Sequence, residues 1–157
     1  MKKIIAFFLI LLGLIFVACG KESGIGEFID KEKISSEYNI EKEDENSIKF
    51  KDKDEDSEVY RIFSIEKMLK VDYNNPNKLD KLEEFYLNHD WKTLYKDEET
   101  LIVSHEEADT QGYEYNIHTF DNSKAELAII VSVGATRKVS EAELVNMLKE
   151  AKSFIKK

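Results

Sequence analysis

The chain has 157 residues, 42% hydrophobic and 11% aromatic, which calls for a folded core and excludes a chain that is disordered throughout. Its 23 basic and 32 acidic residues give a formal charge of −9, which argues against nucleic acid or anionic head groups as partners. The only cysteine rules out a disulfide within the chain, so packing must hold the fold together.

The N-terminus differs sharply from the rest. Lys2 and Lys3 precede an apolar run from Ile4 to Val17, which is followed by Ala18, Cys19 and the polar Lys21-Glu22-Ser23. A membrane-spanning helix needs roughly 20 apolar residues. This shorter run reads as a secretion signal peptide over residues 1–18. Within it, Phe16-Val17-Ala18-Cys19 resembles the lipobox of bacterial lipoproteins, in which a small residue precedes an obligatory cysteine. The resemblance implies cleavage between Ala18 and Cys19, a diacylglyceryl group on the Cys19 thiol, and an acyl chain such as palmitate on the new amino terminus. It also implies a lipid anchor in the bacterial cell envelope, at either the inner or the outer membrane, and an acylated end that host innate receptors sense. Phe16 stands where leucine is usual, which predicts slower cleavage. Each buried lipid methylene contributes about 0.8 kcal/mol, so two or three chains hold a protein stably. Removing 18 of the 157 residues leaves 139, enough for one domain, with 21 basic and 32 acidic residues.

Residues 19–35 read as a flexible tether that starts at the lipidated Cys19, because Gly20, Ser23, Gly24 and Gly26 fall together. A single domain is expected over 36–157. Inside the acidic stretch 36–58, Tyr38 and Ile40 alternate, as do Ile48 and Phe50, around Asp44-Glu45-Asn46-Ser47. That is the pattern of an exposed hairpin, the alternative being a solvated stalk. Val59 to Met68 reads as a strand. Asn75-Pro76 suits a helix start, and Leu79, Leu82 and Tyr86 then share one face, up to a stop at Asn88-His89-Asp90. Strands are expected at 91–95, 100–105, 113–120 and 126–133, the last two joined by a turn at 121–124. In the last, Leu127, Ile129, Val131 and Val133 line one side and Ala128 and Ile130 the other, so this strand should be central and covered on both faces. Ser140 and Glu143 form a capping box, followed by Leu144, Leu148, Ala151 and Ile155 on one helical face. Lys152, Lys156 and Lys157 complement the helix dipole. The order predicts a two-layer α+β domain, a curved antiparallel sheet with two helices packed on it. The pattern is similar to PsbP/DcrB-like domains, which end in a long strand and a helix and mostly act as accessory or binding modules.

No catalytic residue, cofactor or metal site is expected. Asp52-Lys53-Asp54-Glu55-Asp56 begins like a calcium loop, but Ser57 replaces the required glycine and Phe63 the bidentate glutamate. His105-Glu106-Glu107 begins like a zinc-protease helix, but Asp109 replaces the second histidine. His89 falls at a helix end and His118 on a polar strand face. Trp91, Tyr95, Tyr113 and Tyr115 are the candidate binding face, weighed against packing beneath the helices. The resulting reading is a non-catalytic binding or accessory module with an envelope protein or small ligand as partner. The alternative is a hydrolase or metal-dependent enzyme assembled from distant residues, which requires one pocket to hold at least two of His89, His105 and His118 together with carboxylates.

Overall fold

A computed structural model describes residues 24–107, 112–121, 123 and 125–156. The expected signal peptide, the lipobox-like residues with Cys19, and part of the expected 121–124 turn lie outside the described residues. Seven strands form one open antiparallel sheet: β1 (Tyr38–Glu43), β2 (Ser47–Asp52), β3 (Val59–Lys67), β4 (Lys92–Lys96), β5 (Thr100–Glu107), β6 (Gly112–Asp121) and β7 (Leu127–Ala135). Their order across the sheet is β1-β2-β3-β7-β6-β5-β4. The chain meanders through the first three strands and crosses to the far edge by way of α2 (Lys70–Tyr73) and α3 (Lys78–Leu87). It then meanders back until β7 pairs with β3. A helix α1 (Lys31–Glu37) precedes the sheet and α4 (Glu141–Lys152) follows it.

Residues paired across an antiparallel sheet share a face. One face carries Phe50, Phe63, Ile65, Ile129, Val131, Ile117 and Ile102, all buried beneath α1, α4 and the C-terminal segment. Phe50 and Phe63 stack 5.0 Å apart, and Phe154 meets Phe50 edge-on at 5.2 Å. At the border of this core, Arg61 of β3 grips Asp52 of β2 through Nε (3.0 Å) and Nη2 (2.7 Å), and donates to Glu150 of α4 through Nη1 (2.5 Å). The Tyr38 hydroxyl donates to the same Glu150. The network ties the sheet to α4. The capping box at Ser140 and Glu143 is formed, with the Ser140 hydroxyl accepting from the Glu143 N–H.

Helix α3 packs on the opposite face, where Leu79, Leu82, Tyr86 and Trp91 gather with Leu101, Val103 and Phe120 in a second, smaller core. The domain is therefore not two-layered, because its two longer helices lie on opposite sides of the sheet. Since α3 reaches only β4, β5 and β6, the expected double coverage of β7 is corrected as well. Ala128 and Ile130 are only half-buried, beside half-buried Ile62 and Ser64. The helix also starts later than Asn75-Pro76. Asn75 Oδ1 accepts from the Asn77 N–H at 3.0 Å, closing a turn that precedes Lys78.

Residues 25–35, expected to belong to a flexible tether, are instead part of the folded domain. Ile25, Ile29 and Ile34 are fully buried, and Asp30 caps α1 by accepting from the Lys33 N–H. The Asp30 N–H donates to the Phe154 carbonyl at 2.7 Å and the Lys156 N–H to the Phe28 carbonyl at 2.9 Å, so the two ends of the domain are stitched together. Within 36–58, residues 38–52 form a hairpin and not a stalk, but not the exposed one expected, since Tyr38, Ile48 and Phe50 are buried in the core.

Candidate functional site

The part of the sheet that α3 leaves uncovered forms a groove of about 360 Å³. Its floor consists of two rows set by strand register. Tyr60, Gly134 and Glu114 lie side by side, and Ile62, Ser132 and Asn116 form the next row. Gly134 creates the depression: a Cβ built there would meet nothing within 4 Å, so the row is open in its middle. The Ser132 hydroxyl donates to Asn116 Oδ1 at 2.7 Å, which fixes the carboxamide and turns its NH₂ end into the donor. The floor thus combines apolar area with a few fixed polar groups, the composition typical of recognition sites.

Trp91 is the wall. It follows Asp90, whose φ of 63° places it in the left-handed region that aspartate tolerates better than most residues. That turn brings the Trp91 N–H onto the Tyr86 carbonyl at 3.1 Å. The indole stacks on His105 with ring centres 5.5 Å apart and lies against Tyr86 at 5.0 Å. His105 in turn faces Glu114, Nδ1 to carboxylate 4.0 Å. Behind the wall, Tyr86 Oη and His118 Nε2 share a hydrogen bond of 2.8 Å. Burial pulls the His118 imidazole down to about 4, and burial also raises the Tyr86 hydroxyl, so both are neutral near pH 7.

A second cleft of about 380 Å³ opens on the other side, bordered by Lys92, His105, Glu106, Tyr113 and Lys138. Tyr115 contributes to both clefts but is itself core, 3% exposed, with its hydroxyl accepting from the Val139 N–H at 3.0 Å.

The four aromatics proposed from sequence are divided between two faces. Trp91 walls the groove. Tyr113 and Tyr115 alternate to the α4 side, and Tyr95 is exposed on the edge strand β4, donating to Asp97 at 2.7 Å. The histidines are spread along a chain of rings and do not share a cleft. His89 pairs its Nδ1 with the Phe85 carbonyl at the exposed end of α3, His105 lies under Trp91, and His118 is buried beneath Tyr86. Among the described residues no three His, Cys, Asp or Glu side chains converge as metal ligands. In the Asp52–Asp56 loop, Asp52 is taken by Arg61 and Glu55 by Lys51.

Sequence reading missed Tyr60, Ile62, Glu114, Asn116, Ser132 and Gly134. The available signal was Gly134, a glycine inside what proves to be strand β7 and a type of position that marks close approach or open space. Searches of protein-family models, curated proteins and solved structures find no match to the chain.

Proposed function

We propose that the chain is a bacterial envelope lipoprotein, held by acyl groups on Cys19, whose domain is a non-catalytic binding module using the Trp91 groove. The observation that carries the binding role is the groove itself. It is a half-buried patch at the centre of the sheet, with an indole wall and polar groups locked at Asn116 and Ser132. The lipobox residues Phe16-Val17-Ala18-Cys19 support the anchor. The PsbP/DcrB-like order of elements is in keeping with an accessory role, and the acidic balance of the mature chain with a partner other than nucleic acid.

A photo-crosslinking side chain at Ile62, in the protein in its own membrane, tests the groove. A discrete adduct with an envelope component is expected, and Gly134→Phe, which fills the depression, should abolish it. An equal yield from a crosslinker at exposed Glu98, or no effect of Gly134→Phe, would remove the groove from the function. For the anchor, wild-type protein should carry acyl mass and sediment with membranes, and Cys19→Ala protein should do neither.

A further inference from the structure

The geometry points to a second contact with the bilayer, made by Met68 and Leu69 at the end of the sheet where the anchored segment joins the domain. It rests on the lipid anchor proposed at Cys19. Gly24, the first described residue, is five residues along the chain from that cysteine. Five residues reach at most about 17 Å when fully extended. The domain is therefore held close against the bilayer, and the point of entry decides which end faces it.

That point is well defined. The Ile25 N–H donates to the Glu45 carbonyl at 2.8 Å, and the Lys67 N–H donates to the next carbonyl, Asn46, at 2.8 Å. The chain entry, the β1–β2 turn and the end of β3 are thus immediate neighbours. One residue further, the Met68 N–H is pinned to the Glu126 carbonyl at 2.8 Å. Leu69 follows in extended backbone, and at 71% it is the most exposed large hydrophobic side chain among the described residues. A single exposed leucine is ordinary. This one projects from the two-residue link Met68-Leu69 between β3 and α2, beside the entry of the chain proposed to be lipid-anchored. Such a position suits the bilayer interface, where the leucine reaches the acyl boundary and the stem of exposed Lys70 extends along it with its charge in water.

Charge does not drive the contact. Glu45, Glu66 and Glu126 share this end with Lys67 and Lys70, so anionic lipid is not required and a phosphatidylcholine surface suffices. The seat also orients the groove. Tyr60 and Gly134 lie at the opposite end of β3 and β7, so the Trp91 groove is turned away from the membrane and towards other envelope components.

The test uses full-length protein purified from membranes and reconstituted in phosphatidylcholine vesicles. An environment-sensitive fluorophore is attached at Leu69→Cys or, at the far end, at Asp54→Cys. The acylated Cys19 thiol does not take the label. Several-fold stronger quenching by lipid-borne nitroxide at Leu69→Cys than at Asp54→Cys is expected. Equal quenching at the two positions, with acyl mass confirmed on the protein, would overturn the seat and leave the anchor standing. A Leu69→Cys probe shielded from an aqueous quencher yet untouched by the lipid quencher would overturn the seat and assign the loop to a contact with a second copy of this chain. Protein lacking acyl mass altogether would sink the anchor, and the seat with it.

Discussion

His118 shows how a residue of nominally catalytic type is put to structural use. On β6 it occupies the face opposite Ile117, which looked solvent-exposed in the sequence, but α3 covers that position and Tyr86 supplies its hydrogen bond. With the imidazole pulled down to about 4 in the fold against 6.5 in the unfolded chain, only the unfolded state takes up a proton between those values. Stability is therefore level above pH 6.5 and falls as the pH drops towards 4, by on the order of 3 kcal/mol from this residue. Urea unfolding of His118→Gln, whose neutral amide meets the Tyr86 hydroxyl in either sense, should show a much shallower loss over that window. An unchanged slope would assign the acid sensitivity to other groups. Arg61 is the other residue that carries more than its own contacts. Its guanidinium joins Asp52 to Glu150 and lies 5.5 Å from the Phe63 ring centre. Burial on its own would lower its pKa, but the two carboxylates outweigh burial and hold it up. Arg61→Met should cost about 2–3 kcal/mol, less than the full penalty of a completely buried pair because water still reaches Glu150. Its denaturation midpoint should fall accordingly, and Asp52→Asn in the same background should recover part of the loss.

Among the elements, those with strictly local signals were legible. Strands β3, β5, β6 and β7 follow the alternation of apolar residues to within two residues, and the Ser140–Glu143 capping box appears where the spacing placed it. A capping box needs only side chains three apart on one chain, so the sequence contains the whole interaction. Helix α1 and the 3₁₀ turn Ile25–Glu27 were not legible. The isoleucines in and between them, at 25, 29 and 34, lie among glycines and charges, and they are buried because Phe154 and Ile155 return from 120 or more residues away to cover them. Ile34→Asp places a carboxylate in that core and should unfold the domain or lower its melting temperature by well over 10 °C, since burying an unpaired charge costs several kcal/mol. A melting temperature within a few degrees of wild type would return residues 25–37 to the tether.

On the proposed reading the whole molecule has an anchored end and a recognition end, separated by the length of β3 and β7. The acylated N-terminus proposed to hold the first would also be the feature that host innate receptors read in bacterial lipoproteins. Membrane-purified protein should therefore stimulate such receptors in reporter cells and Cys19→Ala protein should not; equal stimulation by the two would show that the response does not come from the lipid. At this scale the division between sequence and structure is clear. The sequence by itself determined the α+β class, most strands, both longer helices and the expectation of a lipid anchor, because these depend on period, composition and short spacings within contiguous stretches. The tertiary structure decided that the helices lie on opposite faces, that the first dozen described residues belong to the core, and that a groove remains where α3 stops. Those features depend on which strands become neighbours. Tyr60, Glu114 and Gly134 form one row only because β3 and β6 both pair with β7, a register that no local pattern encodes.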